Sequence, residues 1–406
     1  MEALFKQSID DLKRFQKFSS AELKMLDNVD KAAEEMAEPE FEHYLKHEVN
    51  MDAPRIAKKY GLLGIPIKKE YGGLGSNHLV TVLTKERLGQ MGLGFSSFYN
   101  VQVFLCGLSM QHWGSQEQKK TYLKQAAKGE KIFAFGLTEP QAGSDPTSMK
   151  TNYEKKEGRF VLNGTKYLIT NGSIADYIII FARSKTLQSE YSAFIVDAKS
   201  SGVTRMRLKE KIGLFTSDTA MLEFKDVEVD DGMVLGEIGT GMKIAYSGLL
   251  NGRLGVASGC IGIIEGSLNA VLSRARERVQ HGKQIGKHQL IQKHIAEIAQ
   301  NLEMARWPTY FAAIQRADYE KNIADKALIE EAELRTALAK KIASRLAFES
   351  ADHAVQVFGG FGYSLLSPAG PLFCDSRVTR IYEGADEIME LKIASEVLGK
   401  GYEAYS

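Results

Sequence analysis

Between Lys131 and about Gly236 the spacing of apolar residues turns from helical to strand-like and then back, and few folds accommodate that order. Inside the stretch lie short runs rich in β-branched and aromatic residues: Phe160 with Leu162, Tyr177 to Ala182, Ser192 to Val196, and Met221 to Val229. Such side chains suit a pleated, half-buried surface, so each run predicts a strand. Asn163-Gly164 and Asn171-Gly172 predict tight turns between them. On the amino side Ser19 to Glu70 reads as helical, with Ser20 as candidate N-cap, and helical patterning returns from Leu79 to Gln90. On the carboxyl side Ile291, Ile295, Ile298, Leu302 and Ala305 recur at steps of four and three, the pattern of one buried helix face. Pro308 is expected to kink or end that helix, and Leu334, Leu338, Ile342 and Leu346 mark another.

The 406 residues suffice for two or three domains and a large core. Lys and Arg number 52 against 51 Asp and Glu, so no overall basic field argues for nucleic acid. Cys106, Cys260 and Cys374 lie far apart, no Cys/His cluster has zinc spacing, and His43 with His47 lacks a third ligand. A reducing compartment and no metal are expected. No apolar run approaches the ~20 residues of a bilayer span, and the densest, Tyr177 to Ala182, is strand-sized. The opening Met-Glu-Ala-Leu-Phe-Lys has neither a secretory core nor transit-peptide character, which predicts a cytoplasmic protein.

Two stretches carry groups suited to chemistry. Ala134 to Asp145 begins as a buried strand would and continues with turn-formers and donors, so strand and loop meet at Thr138. A flat, electron-rich ligand fits such a loop, and an ordinary strand-to-loop exit fits the residues equally well. In Arg380-Ile-Tyr-Glu-Gly-Ala-Asp-Glu-Ile, Glu383 follows two apolar residues and precedes a glycine. A free carboxyl titrates near ~4.3, and burial raises it by up to about 3 to 5 units, which would make a base of it at neutral pH. A glutamate at a helix end is the simpler alternative. Gly282 to His288 has the wrong spacing for a phosphate loop, and Gly239-Thr-Gly241 opens no dinucleotide fingerprint.

Beyond these, Lys166-Tyr-Leu-Ile-Thr-Asn-Gly, Arg278-Val-Gln-His-Gly-Lys with His288-Gln-Leu-Ile-Gln, and Gln356-Val-Phe-Gly-Gly-Phe-Gly-Tyr follow in order. With the two stretches above, they resemble the motifs of the acyl-CoA dehydrogenase family over nearly the whole chain. The resemblance implies an α+β fold: an N-terminal helical domain over 1–130, a small β-barrel-like domain over 131–238, and a C-terminal four-helix bundle over 239–406. It implies FAD, with Phe135, Leu137, Thr138, Ser144, Leu168, Ile169 and Thr170 along the isoalloxazine and ribityl side. Arg278, Gln280, His281, Gln289, Gln356, Gly359 and Gly360 would reach the pyrophosphate and adenosine, largely from a neighbouring subunit, and Ala385 and Glu387 would lie near the flavin. A homo-oligomer follows, a dimer at least and a tetramer by family habit.

The same resemblance makes Glu383 the base that removes the α-proton of an acyl-CoA while the β-hydrogen leaves as hydride, and an electron-transferring flavoprotein the acceptor. Ser144, Arg253, Gly384, Tyr99 and Gln102 would contact substrate. A subset of the family carries its base just before the arginine at position 253, where this chain has Gly252. The wording nearest the Ala134 run is that of the glutaryl-CoA branch, but Ser96 stands where that branch has its carboxylate-binding Arg, which predicts a neutral acyl chain. Leu168 replaces the usual Trp or Phe, Ala385 a Thr, His281 a Phe, and Leu250 an Asp. An oxidase, a carrier-protein thioester dehydrogenase and a catalytically impaired thioester-binding subunit are the alternatives on the same scaffold.

Overall fold

The first long helix, α1 (Ser20–Lys46), starts at a capping box in which the Ser19 hydroxyl accepts from the Glu22 N–H and the Glu22 carboxylate accepts from the Ser19 N–H at 2.8 Å. The cap is thus Ser19, one residue before the expected Ser20, because the reciprocal Glu must stand three positions on. The computed structural model describes residues 7, 9–14, 16–323, 325–399 and 401–402. The first six residues, on which the expectation of no leader rests, lie outside this set. α2 (Asp52–Lys59) and α3 (His78–Gly89) follow, α3 buried along its whole length. α4 (Gly94–Tyr99) runs into a π-helical stretch, Asn100–Gly107, and then α5 (Leu108–Trp113).

Eight strands come next: β1 (Phe133–Gly136), β2 (Asn152–Lys156), β3 (Arg159–Thr170), β4 (Tyr177–Ser184), β5 (Tyr191–Asp197), β6 (Val203–Arg207), β7 (Thr219–Val229) and β8 (Val234–Leu235). The sheet runs β6-β7-β3-β2-β4-β5-β8, with β1 parallel to β4 beside this path. It encloses its own core of Phe160, Leu162, Ile178, Ile180, Phe194, Leu222 and their neighbours. Asn163-Gly164 makes no turn here. It lies inside β3 at a register shift, where Asn163 and Asp226 exchange hydrogen bonds of 3.0 and 2.9 Å, so the local signal marks a bulge. Asn171, at φ 64°, does turn the chain after β3.

The C-terminal region consists of α6 (Gly241–Glu277), the hairpin β9 (Val279–Gln280) and β10 (Lys283–Gln284), α7 (Gln289–Lys321), α8 (Lys326–Phe358), α9 (Ala369–Ser376) and α10 (Asp386–Leu398). α6, α7 and α8 pack against one another, and α10 lies along α8. Of the two outcomes expected at Pro308, an end to the helix does not occur: α7 continues through it. The Met304 carbonyl loses its donor there, and that residue is 47% exposed. α6 also corrects the sequence reading: by length and composition it could cross a bilayer, although 89% of its most apolar window is buried inside the protein. Glycines and Arg253 break the run to the eye, and α3, α7 and α8 cover it.

Candidate active site

A cavity of about 700 Å³ opens where the exit of β1 faces the turn before α10. Leu137, Thr138, Gly143 and Ser144 form one wall together with Leu168 and Thr170 of β3. Tyr246, Leu249 and Arg253 of α6 and Ile381 to Ala385 form the other.

The first wall is rigid for a local reason. Once the chain leaves the sheet, Glu139 and Ala142 exchange backbone hydrogen bonds of 3.0 and 3.1 Å. The buried Glu139 carboxylate then accepts from the N–H groups of Lys150 and Thr151 at 2.7 and 3.0 Å and from the Lys166 ammonium at 2.7 Å. Lys166, fully buried, also donates to the Leu137 carbonyl at 3.0 Å, and the Tyr167 N–H to the Thr138 carbonyl at 2.8 Å. Burial opposes ionisation of Glu139, yet Lys166 and the N–H donors hold it below the usual carboxylate value; burial pushes Lys166 down to about 8 against the pull of Glu139. A second register shift, between Lys166 and Ile169, leaves Leu168 at φ 58° and 54% exposed on the cavity wall.

The second wall is a strained turn held by cations. Glu383 and Gly384 both have positive φ, 57° and 111°. For the non-glycine Glu383 such a backbone persists only where its surroundings enforce it. Arg253 Nε donates to the Glu383 carbonyl at 2.9 Å and Lys340 Nζ to the Gly384 carbonyl at 2.6 Å. Glu383 Oε1 accepts from Asn100 Nδ2 at 3.4 Å, while Oε2 is buried with no hydrogen-bond partner among the described residues. Burial pushes the carboxyl up to about 7, although Lys85, Arg253 and Lys340 pull the other way. Gly252 lies directly beneath: a Cβ there would sit 2.4 Å from Oε2, so the alternative base position and Glu383 converge on one spot.

Leu137, Thr138, Ser144, Leu168, Thr170, Arg253, Glu383, Gly384 and Ala385 therefore meet at one cavity. Other expected residues are elsewhere. Ile169 turns into the β-domain core, and Phe135 packs behind the wall on Phe181, ring centroids 4.8 Å apart. Tyr99 and Gln102, expected to contact substrate, are buried away from the cavity wall. Gln102 is a clamp instead, donating to the Ala126 and Lys131 carbonyls and accepting from the Phe133 N–H at 2.8 Å; its amide suited a ligand and suited this seam equally. Glu387 is exposed and outside the wall.

Arg278, Gln280, His281, Gln289, Gln356, Gly359 and Gly360 are all exposed, and none lines the cavity. They gather at one end of the bundle, where α6 and α8 stop and α7 starts. His281 and Gly282, at φ 50° and 74°, form the two-residue turn of the β9–β10 hairpin, and the Arg274 guanidinium lies over Phe358 and Phe361. Lys211, Tyr246, Glu333, Lys392 and Glu396 line the cavity without having been singled out. Glu333 and Lys392 pair at 2.8 Å across α8 and α10, but no periodicity links residues that far apart in sequence.

The family models for the N-terminal, middle and C-terminal domains of acyl-CoA dehydrogenase match residues 19–130, 134–227 and 239–398. An acyl-CoA dehydrogenase of Bacillus subtilis (strain 168) is 36% identical over 343 residues, 84% of this chain and 88% of that protein. The butyryl-CoA dehydrogenase structure from Megasphaera elsdenii superposes with a TM-score of 0.88 at 32% identity, covering 95% of this chain and 100% of that one. An acyl-CoA dehydrogenase complexed with FAD from Bacillus anthracis gives a TM-score of 0.88 at 30% identity, covering 94% of this chain and 67% of that one.

Proposed function

We propose, from the premise that this chain belongs to the acyl-CoA dehydrogenase family, that it oxidises a short- or medium-chain acyl-CoA between Cα and Cβ with Glu383 as the base. It is an oxidoreductase acting on CH–CH groups, and its cofactor is FAD. The observation that carries the assignment of the base is Glu383 itself: a carboxyl pushed up to about 7 on the cavity wall, with a buried oxygen that has no hydrogen-bond partner among the described residues.

The cavity fits the flavin. Thr138, Ser144 and Thr170 bring hydroxyls to one wall, suited to the heteroatom edge of an isoalloxazine, and Leu137 and Leu168 bring apolar surface suited to its faces. FAD supplies the acceptor for the β-hydride. Glu383 takes the α-proton, and its backbone N–H is the donor assigned to the thioester oxygen, where negative charge develops. Arg253 and Lys340 hold the two carbonyls of the turn and so fix where that N–H and the carboxyl sit. Shielding from water keeps the carboxyl basic.

The exposed set around Arg278 would serve the FAD of a neighbouring copy. α6 runs on for roughly 35 Å from Arg253 to its carboxyl end, beyond the reach of one dinucleotide bound within one chain. A homo-oligomer, dimer or tetramer, is therefore part of the proposal, as are an electron-transferring flavoprotein as acceptor and a cytoplasmic setting. Ser96, fully buried and abutting the position of Gly259, offers no cation to an acyl carboxylate, so the acyl chain is neutral. Anaerobic addition of butyryl-CoA to the yellow protein tests the reading. Bleaching is expected, with slow recolouring in air; fast recolouring would make it an oxidase. A colourless protein that rejects FAD would overturn it.

A further inference from the structure

Lys85 is buried with no carboxylate in hydrogen-bond contact among the described residues, and burial pushes its ammonium down to about 7 against the pull of Cys260 and Glu383. Its Nζ, deep between α3 and α6, donates to Asn100 Oδ1 at 2.9 Å and to the Gly255 carbonyl at 2.6 Å. With Nζ donating to both carbonyl oxygens, the other end of the Asn100 amide is the N–H₂ that reaches Glu383 Oε1 at 3.4 Å. Asn100 opens the π-helical stretch Asn100–Gly107, a distortion frequent at functional sites. Opposite it stands Gly255, where a Cβ would fall 1.9 Å from Asn100 Oδ1. Helix, glycine and lysine thus converge on one side chain.

We propose that Asn100 is a positioning residue for the base: clamped through its carbonyl by Lys85, it can turn only donors toward Glu383, so one carboxylate oxygen is engaged and the other left free to take the proton. This rests on Glu383 being the base. The groups around that carboxylate are few. Lys85 comes from α3, Cys106 from the π-helical stretch, Arg253 from α6, Lys340 from α8 and Tyr382 from the same turn. Cys260 on α6 and Asp386 on α10 face Lys340. Burial pushes both thiols and the phenol up, so they stay neutral. Asn100 is the one side chain that hydrogen-bonds the Glu383 carboxylate among the described residues.

The test is Asn100→Asp, which keeps an acceptor for Lys85 and the side-chain volume but replaces the donor facing Glu383 with a second carboxylate oxygen. The midpoint of the pH profile for anaerobic bleaching by butyryl-CoA should rise by about one unit or more, with flavin colour and melting temperature retained. Lys85→Met, which unclamps the amide, should slow bleaching about threefold to tenfold at high pH and change KM less than twofold, as expected for one hydrogen bond. It also decides the matter should Asn100→Asp not fold. A wild-type midpoint and rate in the folded variants would overturn the role of Asn100. Glu383→Gln distinguishes that from failure of the base assignment: if it bleaches normally the base is wrong, and if it does not, only the positioning role is lost.

Discussion

Replacing Gly252 with alanine adds one methyl group at the most crowded point of the site. The new Cβ would lie 2.4 Å from Glu383 Oε2, 2.7 Å from its Cδ and 2.8 Å from Leu105 Cδ2. Ordinary contact requires about 3.5 Å, so the carboxylate must retreat by roughly 1 Å. A displacement of that size at reacting atoms costs ~10²-fold in rate. Alanine in a helix interior gains about 0.5–1 kcal/mol over glycine, which offsets part of the strain, so the variant should fold and stay yellow. Stopped-flow bleaching by butyryl-CoA under nitrogen should therefore fall about a hundredfold with flavin content unchanged. A rate within threefold of wild type, in a yellow protein of normal stability, would refute the geometry argued for the base.

Because only ionised Glu383 can accept a proton, the bleaching rate should climb with pH and level off above about 7; a profile flat from pH 5 to 9 would contradict it. The same raised pKa affects stability. Between 4.5 and about 7 the unfolded chain has released a proton that the folded one keeps, so stability falls as pH rises through that window. Glu383→Gln escapes this loss, and its melting temperature relative to wild type should be higher at pH 8 than at pH 5. Lys166→Met should strand the buried Glu139 at a cost of about 3–5 kcal/mol and loosen the Thr138–Ser144 loop. Thermal melting and flavin absorbance check this; an unchanged melting temperature with full colour would show that the pair does not hold the loop.

The order helical, β, helical was legible because periodicity reports which face of an element is buried, and that holds for the face of Ile298, Leu302 and Ala305 on α7. Local rules failed where long-range contacts decide. Asn163-Gly164 carries the residues of a hairpin turn, yet its pairing with Asp226 keeps β3 running through it. α6 carries an apolar stretch that charge and glycine punctuate, and only the packed bundle makes it a core helix. At the site, the motif residues from Leu137 to Ser144 and Glu383 could be found because they sit in compact runs. Lys85, Asn100 and Gly255 could not. Each is unremarkable in its own segment, and what joins them is the approach of α3, the π-helical stretch and α6 to within hydrogen-bond distance. Gln102 shows the converse, since a side chain fit for a ligand serves as well to join secondary structures.

The central claim is that Glu383 is the group that takes the α-proton. Anaerobic bleaching by butyryl-CoA, compared in wild type and Glu383→Gln at pH 8, tests it most directly, because the amide preserves shape and removes only basicity. The variant should bind FAD and remain yellow while bleaching at least ~10²-fold more slowly. Bleaching at the wild-type rate would mean that another residue takes the proton.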